Sequence, residues 1–416
     1  MIVLSGAALV LPDRILSTGT LTIEDGRIAD IRSDGYPALP AQFAFHGHYI
    51  VPGFIDVHVH GVDGVDVHDS TSAVATIASR LPRYGVTAFC PTTVACGAAP
   101  LRDVLDQVRQ ARETRAPMTA RVLPAHLESN FINPEYNGAQ PVDCLRSPRG
   151  LFDDSGHLTP GGGPRSTAAP SSAFTARDIL DEIERAAPDV GIVTLAPELD
   201  GGLDLVRLLV SRGHRVSLGH SAATYEEGVA AVAAGARHAT HLFNRMPALN
   251  HRAPGLAGAV LQSDEVAAEL VCDGVHVHPG LVRATVAAKR PSRVLAITDG
   301  TAASGLPIGS RARLGGRAIV AGPSTALLED GTMAGSVLTM DKAFQTLVGR
   351  VGLSLVDAVT LCSTTPAREL GLVGHGVLVP EAVADLVVLD ANFRVVQTYV
   401  AGQLTYARNS PAAASV

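Results

Sequence analysis

What most constrains this chain is a rhythm that begins near Val51, in which a short apolar strand, a loop and an amphipathic helix recur. The predicted strands are Ile50–Val57, Val86–Pro91, Val122–Leu127, Gly191–Ala196, Val216–Gly219, His238–Thr240, Ala268–Cys272 and Val294–Thr298. They are near-continuous apolar runs, as parallel strands buried on both faces require. Between them lie helix-like segments such as Ser72–Arg83, Leu101–Glu113, Ala176–Ala186, Gly202–Arg212, Tyr225–Ala234 and Pro279–Ala288. Eight alternating units over about 250 residues have the size of a closed (β/α)8 TIM barrel.

The flanks read differently. Residues 1–50 hold short β-type runs with Asp25-Gly26 as a hairpin turn, and β-type runs return from Ala384 onward. The expected architecture is therefore α/β, with a barrel over 51–380 and a small discontinuous β-sandwich domain built from 1–50 and 381–416. Two stretches interrupt the rhythm. The segment 159–172, rich in Gly, Pro and Ser, reads as a mobile loop after the third strand. Residues 311–333, with Asp330-Gly331 as a turn, read as a hairpin excursion before a helix starting near Ser336.

A hydrophobic content of 46% with 18% charged residues is that of a globular chain, and the net charge of -7 argues against nucleic acid and anionic membranes as partners. The apolar start Met1–Ala7 lacks a basic leader and reads as a buried strand. No apolar run approaches the roughly 18 to 20 residues of a membrane span. The five cysteines, Cys90, Cys96, Cys144, Cys272 and Cys362, form no Cys-x-x-Cys pair. A reducing cytoplasm is the expected compartment.

Barrel enzymes carry their chemistry at the carboxyl ends of the strands. There the first strand ends in His58 and His60, which share one face because they are two residues apart. The third ends in Glu128, the fifth in His220, the sixth in His241, the seventh runs into His276, and the eighth ends in Asp299. One such residue proves little, since a lone histidine beside an apolar run is more often structural. Together they read as ligands of a divalent metal and an acid/base. Imidazole and carboxylate without thiolate fit zinc first and iron, cobalt or manganese next. Asp299 suits proton transfer from an activated water to a leaving amine.

These residues resemble the amidohydrolase superfamily, and within it the N-acetylglucosamine-6-phosphate deacetylases. The matching pieces are Pro52 to Gly61, His126-Leu127-Glu128, Leu218 to Tyr225, Thr240 to Met246, Arg252 to Gly258, Asp273 to Val277, Thr298-Asp299-Gly300 and Gly335 to Met340. The resemblance implies that Glu128, His220 and His241 hold the hydrolytic metal, with Glu128 able to bridge to a second ion on His58, His60 and Asp299. One or two ions per subunit are thus expected. It implies a substrate-binding set of Ala139, Gln140, Asn244, Arg245, Arg252, His276, Met333, Ala334 and Gly335, with Asn244 and Arg252 on a sugar phosphate and His276 near the reacting amide. It also implies a homodimer in which Arg252 reaches the neighbouring subunit's site.

The implied reaction is deacetylation of N-acetyl-D-glucosamine 6-phosphate to D-glucosamine 6-phosphate and acetate. The alternatives are deacetylation of the galacto epimer, hydrolysis of a cyclic amide, and a catalytically silent barrel. Departures from the family pattern at Ser129, Asn130, Gln140, Arg245 and Ala253 concern sugar and phosphate selectivity more than the reaction type.

Overall fold

The computed structural model describes residues 1–33, 42–153, 155–159 and 174–408. Apart from Thr159, the loop expected at 159–172 lies outside these residues. Eight barrel strands run parallel around a common core: Phe54–Val59, Val86–Thr93, Ala125–Glu128, Val190–Leu195, Arg215–Leu218, His238–Ala239, Ala267–Val271 and Val294–Ile297. Each pairs with the next in order. Between the eighth and first strands a single bridge, Val59 to Gly300, replaces a ladder. The Asp56 carboxylate closes the seam, accepting from Thr298 Oγ1 at 2.6 Å and Thr298 N at 3.3 Å.

Two expected strands are divided. The run from Ile50 to Val57 breaks at Gly53, so that Tyr49–Pro52 belongs to the small domain and Phe54–Val59 to the barrel. A Cβ at Gly53 would stand 2.2 Å from Thr87 Oγ1, so only glycine lets the chain pass between the two domains here. The third strand is split by Pro124, which has no N–H to give a ladder. Arg121–Val122 pairs with the second strand below it, and Ala125–Glu128 resumes above.

The helices agree closely with expectation where the sequence carries end signals. Thr175 with Asp178 and Thr224 with Glu227 form capping boxes that start Ala176–Arg185 and Tyr225–Ala233. Gly255–Gln262, a helix not foreseen, packs its small residues into the barrel wall.

The two termini build one small domain, as expected, around one continuous sheet. Its order is Gln403–Ala407, Val395–Val400, Leu386–Leu389, Tyr49–Pro52, Ile2–Val10, Ile15–Glu24 and Arg27–Ser33, with Phe43–Ala44 beside Ile2–Val10. Alternation gives the sheet two apolar faces. Leu386 and Val388 enter a core with Leu4, Leu9, Ile50 and Tyr399, while Val387 and Leu389 join the barrel core.

The excursion at 311–333 holds more than a hairpin. It is a four-stranded antiparallel sheet, Arg311–Leu314, Arg317–Ala321, Thr325–Leu328 and Met333–Ser336, and the following helix begins at Met340. Gly315-Gly316, the turn after Gly322 and Asp330-Gly331 supply three reversals rather than one. A bridge from Ser336 to Gly300 ties this sheet to the barrel mouth.

Candidate active site

Six polar side chains from five strand ends converge at the carboxyl end of the barrel. Glu128 Oε1 lies 2.8 Å from His220 Nε2 and 2.9 Å from His241 Nε2, and those two nitrogens are 3.0 Å apart. The other carboxylate oxygen, Oε2, lies 3.4 Å from His60 Nε2. His58 Nε2 is 3.3 Å from His60 Nε2, and Asp299 Oδ1 stands 3.4 Å and 3.3 Å from these two nitrogens. All six side chains are buried.

The far ring nitrogens determine what the near ones can do. His220 Nδ1 faces the Tyr136 carbonyl at 2.8 Å, His60 Nδ1 the Thr92 carbonyl at 3.1 Å, and His58 Nδ1 the Glu269 carboxylate at 3.0 Å. Each of these nitrogens therefore carries a proton, so that each ring, when neutral, presents its Nε2 lone pair inward. The His58 and His60 lone pairs, meeting at 3.3 Å, repel unless they share a cation. Glu128 with His220 and His241, and Glu128 with His58 and His60, each gather ligand atoms within 4.8 Å of one another. This donor set fits a divalent metal of borderline softness.

Electrostatics point the same way. Burial alone disfavours charge on His58 and His60, yet Asp299, Glu269 and Glu128 around them lift their pKa to about 9 and about 10. The carboxylates thus demand positive charge between them. Burial also opposes ionisation of Asp299, but His58 and His60 outweigh it and hold the carboxyl below its ordinary range. Asp299 is therefore ionised near neutral pH and ready to accept a proton.

Backbone strain gathers at the same strand ends. His220, His241 and Asp299 have φ of 48°, 28° and 49°, and Phe243 and Arg245 follow at 78° and 52°. Side-chain-bearing residues in this region cost on the order of 1–3 kcal/mol each. The surrounding packing has to hold them there.

A cavity of about 380 Å³ opens over the centre. Of the expected residues, His60, Glu128, His220, His241 and Asp299 line it, together with Ala139, Gln140, Asn244, Arg245, His276, Met333 and Gly335. His58 is fully buried behind His60. Ala334 does not reach the cavity, because alternation along Met333–Ser336 turns it into an apolar cluster with Leu314 and Ile319. Arg252 is exposed, outside the cavity wall.

The polar walls are well anchored. Gln140 accepts from Ala95 N at 2.7 Å and donates to Glu128 Oε2. His276 Nδ1 lies 2.6 Å from Asp273 Oδ2; burial lowers its pKa, but Asp273 overrides this and raises it. Arg245 rests against Gly138, where a Cβ would stand 2.7 Å from Arg245 Nε.

The amidohydrolase family profile matches residues 49–405. This chain is an amidohydrolase. It is 31% identical over 406 residues to the N-acetylglucosamine-6-phosphate deacetylase of Bacillus subtilis (strain 168), with 96% of each chain covered. It is 32% identical over 404 residues to the N-acetylgalactosamine-6-phosphate deacetylase of Escherichia coli O157:H7, covering 97% of this chain and 98% of that one. Among solved structures, a variant of the N-acetyl-D-glucosamine-6-phosphate deacetylase of Mycobacterium smegmatis, in complex with N-acetyl-D-glucosamine-6-phosphate, is similar at a TM-score of 0.84. That alignment has 29% identity and covers 97% of this chain and 99% of the other.

Several buried polar residues of this amidohydrolase stand within its strands or at their starts, not at their carboxyl ends. Glu269, His126 and His238 lie fully buried just below the centre. His126 was visible only as part of the His126-Leu127-Glu128 piece, and His238 opens its strand rather than closing it. Glu269 is a carboxylate in the middle of the apolar strand Ala267–Val271, and an unpaired charge there is costly enough to have been a signal. His278 and His251 adjoin site elements but do no visible work there. His278 caps the helix Pro279–Lys289, accepting from Gly280 N at 3.1 Å, and His251 is exposed. Asn130 and Ser129 are anchored by new bonds. Asn130 donates to the Cys96 and Cys144 carbonyls at 2.7 Å and 2.8 Å, and Ser129 to the Thr194 carbonyl.

Proposed function

We propose that this amidohydrolase removes the acetyl group from N-acetyl-D-glucosamine 6-phosphate, releasing acetate and D-glucosamine 6-phosphate in amino-sugar breakdown. The observation that carries the reading is the convergence of two His/carboxylate groups with Asp299 at one barrel mouth, in a chain whose full-length relatives are named as such deacetylases.

Glu128, His220 and His241 would hold a divalent ion, zinc by preference, which would supply Lewis-acid polarisation of the acetamide carbonyl and activation of water. His58, His60 and Glu128 would hold a second. The chain's own groups do the rest. Asp299 takes a proton from the attacking water and passes it to the amide nitrogen as the C–N bond breaks. His276 serves as the imidazolium that Asp273 favours by raising its pKa: Nδ1–H is committed to Asp273, and Nε2–H donates to the oxygen on which negative charge develops. Gln140 holds Glu128 in place and, with Ala139, forms the wall along the sugar; Met333 and Gly335 form the opposite one.

Phosphate is assigned to Asn244, Arg245 and Arg252. Among the described residues lining the cavity, Arg245 is the one permanent cation, and its guanidinium has no hydrogen-bond or ion-pair partner among them. Arg252, exposed on its own subunit, is assigned to the site of a second copy in a homodimer. Five free cysteines favour a cytoplasmic setting. Among the described residues no helix is long and apolar enough to cross a membrane.

The galacto epimer is the second reading, favoured by the Escherichia coli relative. Turnover of N-acetylglucosamine 6-phosphate, its galacto epimer and unphosphorylated N-acetylglucosamine separates these readings. We expect kcat/KM to be highest for the gluco phosphate, and a preference for the unphosphorylated sugar would overturn the phosphate assignment. Chelation should abolish activity and restored metal should return it; a chain that takes up no metal would be a silent barrel.

A further inference from the structure

Beneath the centre lies a carboxylate that the proposed reaction does not use. Glu269 is fully buried, and its two oxygens are shared among four groups. Oε2 receives His58 Nδ1 at 3.0 Å and the His241 backbone N–H at 3.2 Å. Oε1 lies 2.9 Å from His238 Nε2 and 3.7 Å from His126 Nδ1. Burial opposes its charge, but the surrounding imidazoles, His126 and His58 foremost, keep its carboxyl well below the ordinary range.

His58, His126 and Glu269 also gather ligand atoms within 4.8 Å, but this third group is a brace rather than a metal site. Both nitrogens of His126 are already committed, Nδ1 to the Val57 carbonyl at 3.0 Å and Nε2 to Thr194 Oγ1 at 2.8 Å. His58 turns its remaining nitrogen upward, to His60 and Asp299.

We propose that Glu269 is a positioning residue: it fixes the tautomer and ring plane of His58, and pins the strained backbone of His241, so that both ligands face the ions. Two contacts support this beyond simple charge pairing. The Nδ1 contact leaves His58 only Nε2 as a ligand atom, which a ring free to turn would not guarantee. His241 sits at φ 28°, and Glu269 holds it from both sides of the peptide, through its carboxylate and through its own carbonyl, which accepts from Leu242 N at 2.9 Å. His58 and the His241 N–H both lean on the carboxylate, but the His241 segment keeps its second tie, Leu242 N–H to the Glu269 carbonyl, in any side-chain variant, so removing the carboxylate charge should weaken the His58/His60 ion most. The inference rests on the two-ion reading above.

The test is metal content per chain for wild type, Glu269→Gln and His58→Gln, dialysed against a graded chelator, with circular dichroism as the check on folding. In Glu269→Gln we expect one ion to be released at about 10- to 100-fold lower chelator strength, as in His58→Gln, while the other stays as tight as in wild type. A Glu269→Gln chain that keeps both ions as wild type does, or loses both together while folded, overturns the proposal. A wild-type chain that binds one ion overturns the two-ion reading and the proposal with it, and the wild-type arm alone reveals that. Should Glu269→Gln not fold, Glu269→Asp, which keeps the charge but shortens the reach to His58, is read by the same criteria.

Discussion

At the scale of single residues the site is organised around Glu128, which gives one oxygen to His220 and His241 and turns the other toward His60. Asp299 faces this centre as a charged carboxylate. Asp299→Asn should keep the fold and bound metal but lower kcat by about 10²–10⁴-fold, as steady-state kinetics will show. Arg245 belongs to recognition instead. Arg245→Ala should raise KM for the phosphorylated sugar about tenfold or more while leaving kinetics on the unphosphorylated sugar unchanged, since a charge-assisted bond to an anion contributes on the order of 1.5–3 kcal/mol. His58, His60, His220, His241 and Asp299 were legible in the sequence because each interrupts or ends an apolar run. Glu269 also interrupts an apolar run, but its role was not legible, because its partners come from the first, third and sixth strands and no local pattern joins them.

At the scale of elements, what could be read were strands and helices whose ends carry their own chemistry. Thr175, Thr224 and Pro279 mark helix starts, and the structure agrees within a residue or two. The helix Gly255–Gln262 has no polar face to mark it, being held by burial of small residues. Its carboxyl end is tied down from outside: Lys289 Nζ donates to the Val260 carbonyl at 2.7 Å and the Ser263 carbonyl at 2.5 Å. Burial pushes the Lys289 pKa down to about 8, whereas in the unfolded chain it is about 10.4. Between these values the unfolded state binds more protons, so the Lys289 contribution to stability rises with pH across that window and is flat below it. Urea unfolding of wild type and Lys289→Met across pH 7 to 10 should show this rise in wild type and its absence in the variant.

At the scale of the whole molecule, the eight barrel repeats and the paired termini were legible because both are patterns of many residues. The split at Gly53 was not, since its cause is a close approach to Thr87 that exists only after folding. Assembly is a proposal that mixing experiments can judge. Asp299→Asn and Arg252→Ala should each be inactive alone, yet mixed and re-associated they should regain activity, because one mixed site has an intact Asp299 and receives Arg252 from its neighbour. Separate subunits working in isolation would give no recovery.

The seam of the small domain has a consequence for how the chain is made. Tyr49–Pro52 pairs with Leu386–Leu389, Val51 opposite Val387 and Ile50 opposite Val388, so neighbours in this sheet are some of the most distant residues in the sequence. On a ribosome the first hairpins can form at once, but the strand leading into the barrel must wait, its outer edge unpaired, until almost the whole chain has emerged. A strand made more than 300 residues ahead of its partner is thus among the last to be completed, and an interruption of synthesis between the two leaves that apolar edge open to the wrong partner.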